Sequence, residues 1–366
     1  MSEAPLVVVA AGGTGGHLFP AQALSSVLAS RGITVDLATD ERATRYGGDF
    51  PARHTHLIPS ATFRGSGPVA VAQTLAALGR GTAVAFGLLG QLRPAAVIGF
   101  GGYPTVPPLA AAALRRIPTI IHEQNGVMGR ANRLLAPFVS AIATGFPGAL
   151  AGKQSLAAKA HHTGNPIRSA VLDAADVSYA RPAETFRLLA FGGSQGARIM
   201  ADIVPPAVEA LAPELRARLM VVQQARDEDV ERVQAIYRRL GVDATIAPFF
   251  PGLPARMAAS HLVVSRSGAS TVAELAAIGR PAILVPLPHA LDQDQRANAR
   301  VLEQAGGAIR IEQDEFTPQR LATEIAALAA APERLVAMAS ATHSCGVPDA
   351  AVRLADLVQR VAGLTR

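Results

Sequence analysis

A glycine-rich loop that ends in a histidine is the first place in this chain where chemistry could occur. The apolar run Leu6–Ala10 has the β-branched residues of a buried strand, and the sequence Gly-Gly-Thr-Gly-Gly-His follows it and ends at His17. Helical spacing of apolar residues resumes over Leu18–Arg31. Glycines let backbone N–H groups approach a ligand, and the start of a helix adds partial positive charge. The pattern therefore predicts an anion-binding loop with an imidazole beside it.

Three further loops of small residues repeat this pattern along the chain. Each follows an apolar run that is typical of a buried strand, and the loops are Gly99–Pro104, Gly192–Arg198 and Ser265–Thr271. The carboxyl ends of parallel strands meet at one edge of a sheet, where ligands bind in proteins of this class. We therefore expect one cleft that is lined by several strand-to-helix loops.

The glycine loops do not have the spacing of the two commonest nucleotide-binding motifs. In the fingerprint Gly-x-Gly-x-x-Gly, the third glycine falls on Leu18 in the first loop and on Pro104 in the second. Ser194 takes the place of the second glycine in the third loop, and the ending Gly-Lys-Ser/Thr of the Walker pattern is absent from the sequence. The ligand that we expect bears phosphate, but it is neither a dinucleotide nor a triphosphate in a P-loop.

Four consecutive polar residues, His122, Glu123, Gln124 and Asn125, follow the apolar run Thr119–Ile121. Polar side chains at the end of a buried strand indicate site residues at the carboxyl edge of a parallel sheet. The alternative is a turn whose side chains satisfy local backbone groups.

The composition of the chain argues against several classes of protein. Its 366 residues are 49% hydrophobic, so we expect two domains of ordinary size with large cores. A net charge of +6 suggests an anionic partner. Nucleic acid is not expected, because the chain has no tryptophan, only 4% aromatic residues and no basic cluster with aromatics that could stack bases. The single cysteine, Cys345, excludes an internal disulfide and a cysteine-based metal cage.

Strand-like runs alternate with helical patterns in both halves of the chain, which predicts an α/β protein with two doubly wound domains. The predicted strands are Leu6–Ala10, Thr34–Ala38, Ala95–Ile98, Thr119–Ile121, Phe186–Phe191, Leu219–Val222, Thr245–Ala247, Leu262–Val264 and Pro281–Val285. Thr163–Arg168 has the composition of a hinge, so we expect an N-terminal domain over 1–163 and a C-terminal domain over 164–366. The last helix, about 347–363, could pack back on the N-terminal domain.

The apolar stretch Pro68–Leu92, which contains Arg80 and four glycines, has two interpretations. One is a buried pair of helices that packs on a sheet. The other is an amphipathic patch for an anionic membrane surface, flanked by arginines such as Arg64 and Arg93. No apolar run reaches the length of a membrane span without a charge or a Pro or Gly break, and the segment around Glu3 predicts a first strand and not a signal peptide. The sequence predicts a soluble or peripheral protein.

The triplet Asp292-Gln293-Asp294 has the Asp-x-Asp form that binds a divalent cation in some sugar transferases. Such a triplet arises easily by chance in a polar loop. No other acidic cluster in the sequence supports a cation site, so we predict no metal and no cofactor.

Seven separated motifs occur in the order found in one bacterial enzyme family. They are AAGGTGGHLFP at 10–20, GFGGYP at 99–104, HEQNGVMGRAN at 122–132, GNPIR at 164–168, GGSQGA at 192–197, SRSGASTVAE at 265–274 and the segment 292–298. Together they resemble the MurG family, whose members transfer N-acetylglucosamine from UDP-N-acetylglucosamine to undecaprenyl-pyrophosphoryl-N-acetylmuramoyl-pentapeptide. The resemblance spans residues from about 6 to 300.

The resemblance implies a GT-B fold, with two Rossmann-like domains and the active site in the cleft between them. It implies an inverting glycosyltransferase of peptidoglycan synthesis that attacks with the 4-hydroxyl of the acceptor and converts lipid I to lipid II without a cofactor. The partners that it implies are UDP-N-acetylglucosamine, the undecaprenyl-linked acceptor and an anionic membrane surface, with no nucleic acid. Such an enzyme would lie peripherally on the cytoplasmic face of the inner membrane.

We predict a catalytic role for His17, because it closes the first glycine loop beside a helix N-terminus, whose dipole favours the neutral imidazole that a base needs, with Glu123 as the rival candidate for the general base. The physical reading agrees on the donor side, because the helix starts after Gly193 and Gly268 can hold a diphosphate without a metal. The substrate-binding residues that the resemblance implies are Thr14, Gly15, Gly16, Tyr103, Asn125, Arg168, Ser194, Gln195, Gly196, Phe250, Ala269, Ser270, Thr271, Glu274 and Gln295.

Two of these assignments have alternatives. Glu274 can accept hydrogen bonds from both ribose hydroxyls, but a carboxylate in the first turn of a helix could instead only complement the helix dipole. The loop after His289 varies in length within the family, so Gln293 could replace Gln295 as the contact to the sugar.

Two other functions remain compatible with the sequence. A UDP-sugar epimerase on the same fold would convert the donor without a lipid acceptor. A nucleotide-sugar-binding subunit would bind the donor without chemistry, and turnover of a UDP-sugar by the isolated chain would distinguish it from an enzyme.

Overall fold

The chain forms two compact units, each built on a parallel β-sheet. The computed structural model describes residues 4–12, 15–41, 50–61, 67–193, 196–288 and 292–364. Unit 1 comprises Met1–Arg168 and Pro348–Arg366, and unit 2 comprises Ser169–Val347. The division therefore falls after Arg168, whereas the sequence places the boundary at 163.

Unit 1 contains a seven-stranded sheet in the order β3-β2-β1-β4-β5-β6-β7. Its strands are β1 (Leu6–Ala10), β2 (Thr34–Thr39), β3 (His54–Leu57), β4 (Ala96–Gly99), β5 (Thr119–Glu123), β6 (Ala141–Thr144) and β7 (Ala160–His162). Its helices are α1 (Gly15–Ser30), α2 (Pro68–Leu92), α3 (Val106–Leu114), α4 (Arg130–Leu135) and, from the end of the chain, α14 (Ala350–Val361). All neighbouring strands pair in parallel.

Unit 2 contains a six-stranded parallel sheet in the order β10-β9-β8-β11-β12-β13. Its strands are β8 (Phe186–Phe191), β9 (Leu219–Gln224), β10 (Asp243–Ala247), β11 (Leu262–Ser265), β12 (Ala282–Leu284) and β13 (Ala308–Arg310). Its helices are α5 (Ser169–Ala175), α6 (Arg198–Glu209), α7 (Pro213–Arg216), α8 (Asp227–Leu240), α9 (Leu253–Ala259), α10 (Ala269–Ile278), α11 (Asp294–Ala305), α12 (Pro318–Ala329) and α13 (Pro332–Ser344). The predicted α/β class with two doubly wound domains is confirmed.

Both faces of the sheet in unit 1 are covered by helices, and β1 shows how the sequence achieves this. Val7 and Val9 pack into a buried cluster with α1 and α14, whereas Val8 and Ala10 pack into a second cluster with α2 and α3. Successive side chains of a strand point to opposite faces, so a strand buried on both faces reads as a continuous apolar run. This run is what makes β1 recognisable in the sequence.

The apolar patterns of the sequence do not predict β3, β6, β7 and β13, which are only three or four residues long. Strand β3 lies at an edge of the sheet and is attached through polar contacts. The buried carboxylate of Asp36 on β2 accepts hydrogen bonds from Arg53 at 3.0 and 3.1 Å and lies 2.9 Å from Nε2 of His56. Burial acts to raise the pKa of Asp36, but the bonds from Arg53 and His56 outweigh it and hold that pKa below its usual value.

In each sheet, the strand that comes first along the chain lies inside the sheet, with later strands on both sides. Strand β1 lies between β2 and β4, and β8 lies between β9 and β11. The connections that leave such a pair of strands diverge to opposite faces, which opens a crevice at the carboxyl edge of the sheet. The loops after β1 and β4 and those after β8 and β11 are the four glycine or small-residue loops of the sequence.

The helix α2 is one continuous helix of 25 residues, so the predicted pair of buried helices is wrong. A single stripe of this helix is buried, formed by Thr74, Leu78, Gly81, Ala85 and Leu89. The four glycines of the segment do not interrupt the helix. At Gly81, close packing requires glycine, because a methyl group there would lie 2.0 Å from the carbonyl oxygen of Pro59. The other faces of α2 are largely exposed.

Among the described residues, α2 is also the one helix whose length and apolar character would suffice to cross a membrane. The segment Val69–Leu92 has a mean hydropathy of 1.3, and 22% of its most apolar window is buried. A core helix of a soluble protein can meet the same criterion, and the buried stripe of α2 belongs to the core of unit 1.

Candidate functional site

The histidine that closes the first glycine loop lies at the crevice of unit 1. His17 is the third residue of α1, which begins at Gly15, three residues earlier than the sequence predicts. The half-buried ring packs against the loop after β4, since a methyl group built on Gly101 would lie 3.6 Å from Nε2 of His17 and 3.6 Å from Nδ2 of Asn132. The geometry thus brings together the ends of β1 and β4 and the helix α4.

The loop after β4 depends on two consecutive glycines in the left-handed region. Gly101 has φ +83° and Gly102 has φ +75°, values that a residue with a Cβ rarely adopts. The hydroxyl of Thr105 donates to the carbonyl oxygen of Gly102 at 2.8 Å, which closes the turn. The turn presents the half-buried Tyr103 next to the glycines that contact His17.

Glu123 lies at the end of β5 and holds the loop that follows this strand. Its buried carboxylate accepts from the backbone N–H of Asn125 at 3.0 Å and of Gly129 at 2.9 Å. It also accepts from the side-chain amides of Asn125 at 3.3 Å and Asn132 at 2.8 Å. Burial raises the pKa of Glu123, and the four donors act in the opposite direction. The carboxylate therefore fixes the position of Asn125.

The other polar residues at the end of β5 satisfy backbone groups. Nε2 of the buried His122 lies 3.0 Å from the carbonyl oxygen of Gly164, and burial lowers the pKa of His122 to about 4, so that the ring is neutral at physiological pH. Gln124 donates to the carbonyl oxygen of Phe100 at 3.1 Å, and Asn165 donates to that of Gln124 at 2.9 Å. These three contacts join residues that are 24 to 42 positions apart in sequence, so they are tertiary contacts and not the local turn bonding of the alternative.

Arg168 belongs to unit 1 and lies against its first helix. The guanidinium carbon is 4.4 Å from the centre of the Phe19 ring. Phe19 in turn packs on Gly15, where a methyl group would lie 3.0 Å from the ring. The structure thus places Arg168 close to the first glycine loop and not in the C-terminal domain, where the sequence boundary puts it.

In unit 2, α10 starts at the crevice between β8 and β11. Its N-cap residue is Gly268, which has no side chain to cap the helix, and Ala269, Ser270 and Thr271 form the first turn. The backbone N–H groups of this turn have no partner within the helix and are suited to an anion. Glu274 is buried and is the sixth residue of the helix, beyond the first turn. A role that is limited to the helix dipole is therefore excluded for Glu274.

The loop before α11 is held by Gln295, the residue whose side chain the family resemblance implies as a contact to the donor sugar. Oε1 of Gln295 accepts from the backbone N–H of Leu287 at 3.0 Å, and the hydroxyl of Ser267 donates to the carbonyl oxygen of Gln295 at 2.8 Å. Gln293, the alternative sugar contact, is the N-cap residue of α11 with φ +53°. It lines a cavity of about 350 Å³ together with Leu287, Arg296 and Gln313.

Two further predicted residues of unit 2 lie near this edge of the sheet. The side chain of Phe250 is buried, with the guanidinium of Arg256 4.7 Å from the centre of its ring, and its carbonyl oxygen accepts from the N–H of Leu253 at 3.2 Å. Gly196 has φ +66°, and its N–H donates to the carbonyl oxygen of Gly193 at 3.1 Å.

Three predicted site residues, Thr14, Ser194 and Gln195, lie outside the described residues, as does Arg64. In the part of the chain that the structure describes, no group of three or more His, Cys, Asp or Glu side chains could hold a metal ion.

Sequence reasoning does not single out Asn132, Arg266 and Asn298, although all three occur within its motifs. Asn298 is fully buried and donates to the carbonyl oxygen of Ser267 at 3.1 Å. The signal that could have found these residues is a polar side chain at a position where the helix or strand pattern requires burial.

Comparisons with known proteins point to one family along the whole chain. Residues 7–144 match the glycosyltransferase family 28 N-terminal domain, and residues 187–354 match the glycosyltransferase family 28 C-terminal domain. A Rhodopseudomonas palustris protein named UDP-N-acetylglucosamine–N-acetylmuramyl-(pentapeptide) pyrophosphoryl-undecaprenol N-acetylglucosamine transferase is 64% identical over 364 residues. This alignment covers 99% of the present chain and 100% of that protein.

Two more relatives agree with this result. A Nitrobacter winogradskyi protein of the same name is 60% identical over 364 residues, which is 99% of each chain. The crystal structure of Acinetobacter baumannii MurG superposes with a TM-score of 0.80 at 29% identity, over 98% of this chain and 100% of that one.

The contacts of Glu123 lead to a prediction about the loop that it holds. In the variant Glu123→Gln, the new NH2 group faces N–H donors, so hydrogen bonds to the loop are lost. We expect the backbone amides of Asn125 and Gly129 to exchange with solvent about 10-fold faster, the effect of losing about 1.4 kcal/mol of local stability. Hydrogen-exchange NMR or mass spectrometry measures this rate. Glu209→Gln, which changes an exposed carboxylate of unit 2, is the control, and unchanged exchange at both amides would contradict the assignment.

Proposed function

The chain belongs to glycosyltransferase family 28, and from this premise we propose how its loops divide the work of donor binding, acceptor activation and membrane attachment. The resemblance to the MurG family is confirmed by full-length relatives at 58–64% identity. The protein is an N-acetylglucosaminyltransferase of peptidoglycan synthesis. It transfers N-acetylglucosamine from UDP-N-acetylglucosamine to the 4-hydroxyl of lipid I and inverts the configuration at the anomeric carbon.

We assign the donor to the carboxyl edge of unit 2, and the single observation that carries this assignment is the start of α10. Its first-turn amides are available to the diphosphate, and the buried Glu274 one turn further on is suited to the ribose hydroxyls. Gln295 and Gln293 flank the position of the sugar. Gln295 keeps its NH2 group for a sugar hydroxyl, while its oxygen holds the N–H of Leu287. Ser194, Gln195, Gly196 and Phe250 stay proposed donor contacts.

The reaction exchanges one bond to the anomeric carbon for another. The acceptor oxygen O4 forms a bond to C1 of N-acetylglucosamine, its proton passes to a general base, and the bond from C1 to the β-phosphate oxygen breaks on the opposite face. UDP leaves with an additional negative charge. Backbone N–H groups at the start of α10 stabilise this charge as it develops.

We favour His17 over Glu123 as the base. The carboxylate of Glu123 is buried and occupied by four donors, so it is a positioning group for Asn125 and Gly129. His17 is half-buried in the first turn of α1, where the helix dipole favours the neutral imidazole that a base requires. Tyr103, next to the glycines that contact this ring, is a proposed contact to the acceptor.

An epimerase and a non-catalytic subunit receive no support from the relatives at 58–64% identity, which are named transferases. We propose that UDP-N-acetylglucosamine and the lipid-linked sugar are the two substrates, with no nucleic acid as a partner. We further propose that no metal takes part, since the start of α10 can supply the positive charge that a cation supplies in other transferases.

We propose that unit 1 also attaches the enzyme to the cytoplasmic face of the inner membrane. Exposed apolar side chains on α2 and at the end of α3 include Val69, Leu75, Phe86 and Leu114, which are 40–69% exposed. Arg115 lies flat on α2, with its guanidinium 3.8 Å from the centre of the Phe86 ring and its Nε donating to the carbonyl oxygen of Phe86 at 2.6 Å.

Glycine at position 90 makes room for this arginine, because a methyl group there would lie 2.3 Å from its guanidinium. Apolar insertion beside Arg80, Arg93 and Arg116, which are exposed, suits an anionic surface. The lipid of the acceptor stays in the bilayer, so the enzyme must reach it there.

The function itself is tested by incubation of the purified chain with radiolabelled UDP-N-acetylglucosamine and lipid I. We expect label in the lipid fraction, with equal rates before and after exhaustive chelation, because fixed positive groups replace a cation. A protein that releases free N-acetylglucosamine or an epimer without labelling the lipid would contradict the assignment. Loss of transfer on chelation with rescue by manganese would contradict the metal-free mechanism and would direct attention to Asp292 and Asp294.

The role of His17 is tested by His17→Ala. We expect kcat to fall by about 100-fold or more, while the Kd of UDP-N-acetylglucosamine changes little, because general-base groups act chiefly in the transition state. Steady-state kinetics and calorimetric titration measure the two quantities. His343→Ala, which removes an exposed histidine of α13, is the matched control. Nearly normal turnover of His17→Ala would rule out the base.

Attachment to the membrane is tested by flotation with vesicles of anionic or neutral lipid. We expect binding to need anionic lipid, to weaken at high salt and to fall roughly 10-fold in Arg80→Glu, since each arginine near such a surface contributes about 1 kcal/mol. Arg334→Glu makes the same charge change at an exposed position of α13 and should bind as the wild type does. Binding that ignores both lipid charge and Arg80→Glu would refute the patch.

A further inference from the structure

A buried arginine directly precedes the proposed diphosphate loop and bonds to two other loops. Arg266 is 8% exposed and follows the last residue of β11. Its Nη1 donates to the carbonyl oxygens of Val285 at 3.1 Å and Pro286 at 3.0 Å, at the exit of β12. Its Nη2 donates to Oε1 of Gln313, which follows β13. One side chain therefore connects the exits of three neighbouring strands.

The residues next to Arg266 extend this connection to the proposed sugar contact. Ser267 donates its hydroxyl to the carbonyl oxygen of Gln295 and accepts on its own carbonyl oxygen from Asn298. Gln295 then accepts from the N–H of Leu287, one residue beyond the carbonyl that Arg266 holds. The segment 285–287 is thus held by Arg266 from one side and by Gln295 from the other.

The charge of Arg266 is not explained by an ion pair. In the hydrogen bonds and ion pairs of the described residues, its partners are two carbonyl oxygens and one amide, and its buried Nε has no partner. Burying a guanidinium without a carboxylate costs free energy, and carbonyl bonds alone offset only part of that cost. Burial also lowers the pKa of Arg266. Arg266 bears this cost directly beside the proposed diphosphate loop, where it connects the exits of β11, β12 and β13.

We propose that Arg266 is a positioning residue for the donor sugar, which sets the segment 285–287 and with it Gln295 at a fixed distance from the start of α10. The inference rests on the proposed donor site of unit 2. In this arrangement the amides of α10 hold the diphosphate. Arg266 sets the distance between these amides and Gln295, and this distance determines whether Gln295 can contact the sugar of the bound donor. Arg266 therefore acts on recognition of the sugar, whereas the affinity for the UDP portion does not depend on it.

The test compares the binding of UDP and of UDP-N-acetylglucosamine to the full-length variants Arg266→Gln and Arg266→Lys. We expect Arg266→Gln to raise the Kd of UDP-N-acetylglucosamine at least about 10-fold more than the Kd of UDP, the effect of losing two hydrogen bonds that hold the segment. Arg266→Lys keeps the charge and part of the bonding, so it should shift this ratio by a smaller factor. In transfer assays, both variants should raise KM more than they lower kcat and should discriminate less against UDP-N-acetylgalactosamine, the C4 epimer.

Arg280 provides a matched control, because it is a second buried guanidinium that donates to carbonyl oxygens. It is 1% exposed and donates to the carbonyl oxygens of Ala258 in α9 and of Ile278, the last residue of α10. Arg280→Lys should lower the Tm as Arg266→Lys does, but it should leave the ratio of the two Kd values unchanged. The control separates a general loss of stability from a loss of sugar recognition.

The outcomes either support or overturn the inference. If both Kd values rise by the same factor, the guanidinium acts through its charge on the diphosphate, and if neither Kd changes, it serves the fold alone; both results would overturn the inference. Where Arg266→Gln does not fold, the ratio in Arg266→Lys decides in the same way. A wild-type protein that binds UDP-N-acetylglucosamine but transfers nothing to lipid would overturn the proposed function. The ratio of the two Kd values in the Arg266 variants would still test the role of Arg266.

Discussion

Parallel pairing of one strand with neighbours on both sides is the constraint on which the rest of this structure depends. In unit 1 the chain leaves β1, returns to β2 on one side and later to β4 on the other, and in unit 2 β8 has the same position between β9 and β11. Helices must cover both faces of such a sheet, because its strands are apolar on both sides. The carboxyl edge is what remains open, and the two loops that diverge there form a crevice. Small residues, the start of a helix and polar side chains collect at these crevices for this reason.

Buried polar groups hold these loops in place. Because leaving a buried donor or acceptor without a partner costs free energy, each loop is restricted to the geometry that satisfies these groups. The carboxylate of Glu123 is surrounded by four donors, and the guanidinium of Arg266 donates to two carbonyl oxygens of the loop after β12 and to the side-chain amide oxygen of Gln313. Removing one partner from such a group leaves a buried donor or acceptor unsatisfied, which costs about 1–3 kcal/mol. A loop that is held in this way has one geometry, and an enzyme that must align a sugar, a diphosphate and a base requires that. The same residues would be poor choices for a core whose only task is stability.

The helix α2 combines two demands in one sequence. Its buried stripe contributes Leu78, Ala85 and Leu89 to the core of unit 1, and Gly81 lets the helix approach the backbone at Pro59. Its remaining faces carry apolar side chains that no core requires, together with Arg80. Periodicity alone could not separate these faces, since alanine, glycine and leucine occur on all of them. The exposed area is consistent with the proposed attachment to a membrane surface, where apolar side chains beside cations are stabilised.

The sequence by itself determined the class of the fold, the positions of the four loops and the family. It could do so because a strand buried on both faces must be a continuous apolar run, as in Leu6–Ala10 and Phe186–Phe191, and because a loop that approaches a phosphate must be small. It did not predict β3 or β7, since short edge strands such as His54–Leu57 are attached by polar contacts and carry no apolar pattern. Only the tertiary structure decided that α14 belongs to unit 1, that one stripe of α2 is buried, and that the carboxylate of Glu123 is buried among four donors. Those properties depend on which residues distant in sequence lie within a few ångströms, and a local pattern contains no information about such distances.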